Sequence, residues 1–244
     1  MNTLAERYAA VQERLTLAAR RAGRPPEEIT LVAVSKTWPA EIVLAAYEIG
    51  LRHFGENRVE ELVEKRPQVE AQLGRQSGLV WHLIGTLQSR KTDEAAVCAD
   101  AFHALDRPKI ANRLSRALVA NGRTLPIFLE VNVSGEETKA GLDCRLWEDA
   151  PTQRVSLLSL AETAQLLPGL QLYGLMTMAP WDVAAEEIRT VFRRTRRLAE
   201  WLQTALARAE PLALSMGMTD DFEIAIEEGA THVRIGRALF GPRQ

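Results

Sequence analysis

Lysine is scarce in this chain. Of 30 basic residues only five are lysines, at positions 36, 65, 91, 109 and 139; the rest are arginines. Cysteine is scarcer. Cys98 and Cys144 stand alone, without CxxC or CxxH spacing, so neither a disulfide framework nor a thiolate zinc site is suggested. The four histidines, His53, His82, His103 and His232, are dispersed along the chain and suggest no metal site. No apolar run approaches the roughly 18 residues that a membrane span needs. The N-terminus carries acidic residues and lacks the apolar segment of a signal peptide. The net charge of −2 gives no general attraction for nucleic acid. A cytoplasmic protein without a membrane or nucleic-acid partner is expected. Within those exclusions stands an ordinary soluble composition, 46% hydrophobic and 25% charged over 244 residues. Such a chain can bury a sizeable core as one α/β domain or two small ones.

The most informative stretch is Leu31-Val32-Ala33-Val34-Ser35-Lys36-Thr37, stopped by Trp38-Pro39. A short apolar run bounded by proline reads as a strand buried on both faces. Side chains alternate along a strand, so Val32, Val34 and Lys36 share one face, apolar until it ends in an amine. An amine at the dry end of a buried strand has a lowered proton affinity and becomes nucleophilic, fit to condense with an aldehyde or ketone. The bland alternative is a strand-ending lysine that snorkels to water.

The rest of the chain repeats a strand–helix alternation. An amphipathic helix over residues 3–22, with Leu4, Tyr8, Val11 and Leu15 on one stripe, precedes the first strand. A helix follows Pro39 and runs to Gly50. Further strands are expected at 52–54, 79–84, 101–105, 126–133, 170–176, 211–214 and 232–235. Helices are expected at 58–65, stopping before Pro67, at 106–120, 157–167 and 183–208, and after a Thr219 cap. The stretch 135–154 reads as loop. Eight strands alternating with helices in about 250 residues indicate a single (β/α)8 barrel with an extra N-terminal helix. A doubly wound open sheet is the alternative, but no GxGxxG follows the first strand.

In a barrel, function gathers at the C-terminal strand ends. The seventh strand ends in Ser215-Met216-Gly217-Met218 and the eighth in Gly236-Arg237. Loops at these two positions often hold phosphate, with glycine allowing close backbone approach and free N–H groups completing the cup. Simple turn glycines are the alternative. Arg234 shares the face of Gly236, and an arginine pointing into a barrel needs a partner, either a neighbouring carboxylate or a cofactor ring nitrogen. Schiff-base lysine, phosphate cup and ring-nitrogen partner together are what pyridoxal phosphate requires.

These stretches, with Phe54-Gly55-Glu56-Asn57, Trp81-His82-Leu83-Ile84-Gly85, residues 131–141 (VNVSGEETKAG), Gly174-Leu175-Met176 and Val233-Arg234-Ile235-Gly236, resemble the pyridoxal-phosphate homeostasis family. That family is related to the barrel domain of alanine racemase. The resemblance implies that Lys36 holds pyridoxal 5'-phosphate as a Schiff base and that Arg234 faces the pyridine nitrogen. It further implies that Ser215, Gly217, Met218, Gly236 and the backbone of Arg237 surround the phosphate, with Asn57, His82 and Met176 near the cofactor. Apo enzymes that use the cofactor would be recipients, and the protein is expected to be a monomer.

The rival reading is an amino-acid racemase or decarboxylase using the same Schiff base. Against racemisation, the second base in the racemases this chain resembles is a tyrosine from a C-terminal β domain, and this chain stops at Gln244. A third reading, a nucleic-acid regulator, rests only on Arg189, Arg193, Arg194, Arg196 and Arg197, which read better as a solvated helix face. The segment 143–155 reads as a lid or an exposed loop. Trp147 and Trp181 are core or loop anchors.

Overall fold

The computed structural model describes residues 3–136 and 139–242. Eight parallel strands close into a barrel: β1 (Thr30–Val34), β2 (His53–Glu56), β3 (Val80–Leu83), β4 (Ala101–Leu105), β5 (Leu125–Asn132), β7 (Leu170–Met176), β8 (Ala213–Ser215) and β9 (His232–Ile235). Pairing runs β4-β3-β2-β1-β9-β8-β7-β5, and β4 pairing with β5 shuts the ring. A two-residue strand, β6 (Leu142–Asp143), adds outside it on β5. The expected (β/α)8 barrel is the fold. The strands are short and almost wholly buried because helices cover the outside and side chains fill the inside.

The outer helices are α2 (Ala40–Glu48), α3 (Val59–Leu73), α4 (Thr92–Cys98), α5 (Pro108–Ala120), α6 (Pro151–Leu166), α7 (Ala185–Ala205), α8 (Phe222–Glu227) and α9 (Arg237–Phe240). The N-terminal helix α1 (Leu4–Arg21) starts at a capping box between Thr3 and Glu6. It buries Val11, Leu15, Ala18 and Ala19, and its arginines reach α8 through Arg14–Glu223 and Arg21–Glu227.

Four local expectations fail for identifiable reasons. Helix α3 does not stop before Pro67 but carries it inside. The hydrogen bond that proline cannot make leaves only the carbonyl of exposed Val63 to solvent, while Leu62, Lys65 and Val69 are buried and hold the helix together. Helix α4 was not foreseen, since seven residues are too few to show a period. Helix α6 starts at Pro151, a favourable first-turn position, so the helix expected from 157 begins six residues earlier and takes the end of the expected loop. Asp221, not Thr219, occupies the N-cap of α8, and its carboxylate accepts from the backbone N–H of Met218 at 2.5 Å.

The segment 143–155 is neither lid nor free loop at its centre. Cys144 and Trp147 are buried, and Arg194 on α7 grips Glu148. The arginines of α7 are not simply solvated either. Arg189 pairs with Glu227 at 2.6 Å and Glu228 at 3.2 Å, Arg193 with Glu228 at 3.2 Å, and Arg196 with Glu228 at 3.6 Å. These charges are spent tying α7 to α8.

Candidate functional site

A cleft of about 920 Å³ opens at the C-terminal end of the barrel. It is lined by Lys36, Asn57, Met218, Arg234, Gly236 and Arg237, six of the ten residues singled out from the sequence. Val34 lines it too, as alternation along β1 requires if Lys36 continues that face. Lys36 is half-buried, two residues past the end of β1. Asn57 follows β2, and β3 runs close behind it. A Cβ at Gly85 would stand 2.3 Å from the Asn57 carbonyl oxygen, so only glycine permits that approach.

The phosphate-type loops after β8 and β9 are tied to each other. Arg237 pairs with Asp220, and the backbone N–H of Ala238 donates to Thr219 Oγ1 at 3.4 Å. Gly236 is the N-cap of α9 and sits against Val34. Gly217 has φ +96°, and a Cβ there would lie 2.6 Å from that of Ala225. That glycine is required by backbone conformation and by the closeness of α8, and it is fully packed rather than on the cleft wall.

Arg234 is 4% exposed, and its donors are largely committed. Nη1 donates to the Ser215 carbonyl at 2.7 Å and to Ser215 Oγ at 2.8 Å, while Nη2 donates to the Thr177 carbonyl at 3.0 Å. Burial pulls its proton affinity down to about 10, with Asp221 and Glu130 acting in the opposite direction, so it stays a cation.

Ser215, Met176 and His82 lie below the cleft wall and are all buried. Ser215 and His82 belong to a chain of side chains inside the barrel. His103 Nδ1 is 2.8 Å from Ser215 Oγ, His82 Nδ1 is 2.8 Å from His103 Nε2, and His53 Nδ1 is 3.0 Å from His82 Nε2. The guanidinium can only donate, so Ser215 Oγ accepts from it; among the described residues His103 Nδ1 is the hydroxyl's other partner, and giving the proton there satisfies both groups. Each ring then passes one N–H onward, and the polarity runs from Arg234 to His53. His232 packs edge-on to His103, with ring centroids 6.0 Å apart. The histidines are therefore not dispersed in space, although among the described residues they form no metal-binding group. Burial lowers the proton affinity of all four, that of His232 to about 4.

Sequence reasoning passed over Glu130. It sits near the end of β5, 3% exposed, and it lines the cleft with its Oε2 buried and, among the described residues, without a partner. Burial, aided by Asp106, raises its proton affinity to about 7 against the pull of Arg234. The signal was available: Leu125–Asn132 is an otherwise apolar strand with one carboxylate in it. Lys139, quoted within a motif but given no role, also lines the cleft, pairing with Glu136 and donating to the Met178 carbonyl at 3.3 Å. The motif residues Glu137 and Thr138 lie outside the described residues. Trp181 is 64% exposed and lines the cleft.

The chain is similar to known proteins over its whole length. Residues 7–244 match the family described as alanine racemase, N-terminal domain. A Pseudomonas aeruginosa pyridoxal phosphate homeostasis protein is 44% identical over 243 residues, covering 100% of this chain and 97% of that protein. A namesake from Aquifex aeolicus is 39% identical over 239 residues, 98% of each chain. PipY of Synechococcus elongatus, solved with PLP bound, superposes with a TM-score of 0.78 at 37% identity, covering 98% of this chain and 100% of that one. By fold and by full-length identity, the chain belongs to the pyridoxal phosphate homeostasis protein family.

Proposed function

We propose that this protein holds pyridoxal 5'-phosphate on Lys36 as a Schiff base and takes part in managing the cell's supply of that cofactor, without turning over a substrate. The observation that carries the reading is the meeting of Lys36, Arg234 and the two cross-tied loops around Met218 and Gly236 at one barrel mouth. The donor set fits the group. Lys36 would supply the amine, Arg234 a buried donor for the ring nitrogen, and the loops at 219–220 and 236–237 the backbone for a phosphate. The orphaned Oε2 of Glu130 accommodates a further donor. Asn57 borders the same space, Ser215 holds Arg234 from behind, and Gly217, Met176 and His82 are buried beneath the cleft.

When bound, the cofactor supplies an aldehyde carbon and a ring able to take up electron density. The residues here favour holding over turnover. Through an N–H not spent on Ser215 or Thr177, Arg234 would donate to the ring nitrogen and keep its own proton, so that nitrogen would stay unprotonated and the ring would be a weak electron sink. The relatives' names, homeostasis proteins rather than enzymes, point the same way. Handing the cofactor to apo enzymes in the cytoplasm, as a monomer, completes the reading.

One sample tests it. Borohydride reduction of the cofactor-loaded protein should fix a pyridoxyl group on the Lys36 peptide, and Lys36→Ala should lose the bound cofactor's absorption band. An adduct on Lys65, Lys91, Lys109 or Lys139 instead overturns the site. The same protein in a chiral assay with L- and D-alanine should show no sustained interconversion. Rates of about 1 s⁻¹ or more would make it a racemase.

A further inference from the structure

A buried lysine, Lys65, stands behind half-buried Lys36. Lys65, on α3, is 7% exposed and uses all three of its protons. Its Nζ donates to the Ser35 carbonyl at 2.8 Å, to Glu56 Oε1 at 2.8 Å and to Glu61 Oε2 at 3.2 Å. An ammonium has three donors, so Lys65 is saturated and is no competitor for an aldehyde. Its acceptors grip both chain neighbours of Lys36. Ser35 Oγ donates to Glu56 Oε1 at 2.8 Å, and the backbone N–H of Thr37 donates to Glu61 Oε2 at 2.7 Å. Thr37 has φ +68°, a left-handed conformation that a non-glycine residue adopts only when its surroundings impose it. Its side chain is exposed, so the imposition comes through the backbone.

We propose that Lys65, clamped between Glu56 and Glu61, is the positioning residue for Lys36: it fixes the Ser35 carbonyl and the Thr37 amide and so sets where the amine between them stands. This rests on the Schiff-base reading of Lys36. A single strand end cannot hold a residue two positions beyond it: past Val34 the last inter-strand bond runs from the Ser35 N–H to the Gly55 carbonyl at 3.1 Å, and it stops short of Lys36. The clamp continues the constraint by borrowing one acceptor from β2 and two groups from the first two turns of α3. Lys65 and Glu61 are one helical turn apart, which places both on the face of α3 turned toward β1.

The test compares Lys65→Met, Glu61→Gln and Glu61→Ala in the full chain. On the cofactor-free protein, hydrogen exchange of the Thr37 amide should quicken about tenfold or more in Lys65→Met and Glu61→Ala, the effect of losing one hydrogen bond. It should stay near wild type in Glu61→Gln, which keeps the acceptor. On the loaded protein, the pH midpoint of the cofactor's absorbance should rise in Lys65→Met, which removes a cation, and fall in Glu61→Gln, which removes an anion. General loosening of the fold would move both variants the same way. Wild-type exchange at Thr37 in both Lys65→Met and Glu61→Ala overturns the clamp, as do midpoints that shift together or not at all. If borohydride marks a lysine other than Lys36 in the wild-type protein, the Schiff-base reading falls. The Thr37 exchange still decides the clamp by itself.

Discussion

The cleft and the layer directly beneath it are both polar, and both lie inside one barrel, yet they are made differently. The cleft is built at strand ends, where short motifs place Lys36, Asn57, Met218, Gly236 and Arg237. The layer beneath is built across strands: His53 from β2, His82 from β3, His103 from β4, Ser215 from β8 and His232 with Arg234 from β9. The cleft is open to solvent and can exchange protons and ligands. The layer is buried except at His53, burial disfavours charge on its histidines, and three of the four are linked ring to ring. Arg234 belongs to both. It faces the cleft, and its hold on Ser215 anchors the chain of rings below. The difference shows that a binding site can rest on a polar floor which never meets the ligand.

Acid should break the layer before the cleft. His232 is held neutral by burial, with its proton affinity lowered from 6.5 to about 4. A lowered value in the folded state means that the stabilisation is present above pH 6.5 and is lost as pH falls through about 4. The full span is on the order of 3 kcal/mol for this one group. Chemical denaturation as a function of pH should show wild type losing this much relative to His232→Phe between those limits. Parallel stability curves for the two proteins would mean that His232 is not buried neutral.

Glu130, on the cleft side, should behave with the opposite sign. Its proton affinity is raised from 4.5 to about 7, chiefly by burial. The folded state therefore retains a proton that the unfolded state releases, and stability is greatest below pH 4.5 and lost as pH rises through about 7. Glu130→Gln should remove this loss, at most on the order of 3 kcal/mol, and should be the more stable protein at pH 8. The same denaturation series decides it, and an unchanged slope between pH 4.5 and 7 would deny the carboxyl its buried state.

Ser215 joins the two regions. Ser215→Ala leaves His103 Nδ1 without its donor and Arg234 Nη1 with only the Ser215 carbonyl. A cost of about 1–3 kcal/mol is expected for buried groups left unpaired. Cofactor affinity should fall as well, because Arg234 loses part of its hold. A Ser215→Ala protein of unchanged stability that binds the cofactor weakly would instead put the hydroxyl on the ligand, where the sequence alone first suggested it.

The legibility of the two regions follows from how they are made. The barrel was legible because strand and helix patterns alternate eight times, and the strands show either a short apolar run, as in Leu31–Val34, or buried–exposed alternation, as in Leu170–Met176. Lys36 and Arg234 were legible because alternation along one strand fixes which way each points. Proximity across strands was not legible. His53, His82 and His103 come from three successive strands whose stagger the sequence does not state: Gly55 pairs with His82, and His82 with Ala101. Lys65 was hidden for a related reason. Proline at 67 appeared to end its helix, and a buried charge makes sense only once its partners from other elements are known.

The smallest effect is expected at the rim, and it sharpens the comparison most. Arg237 pairs with Asp220, and the two side chains are 56% and 59% exposed. Water competes for both charges, so a pair this exposed contributes little, typically under about 1 kcal/mol. Its guanidinium is also half-neutralised by the aspartate before any anion arrives. If the phosphate is held mainly by backbone N–H groups at 236–237 and 219–220, Arg237→Ala should leave stability within about 0.5 kcal/mol of wild type. It should change pyridoxal 5'-phosphate affinity by less than about fivefold, read by absorbance titration. The control is pyridoxal lacking the phosphate, which should bind far more weakly to both proteins. If Arg237→Ala instead weakens pyridoxal 5'-phosphate to the level of pyridoxal, the side chain and not the backbone holds the phosphate. The rim would then be part of the binding machinery, and the buried floor would no longer be what sets the affinity of the cleft.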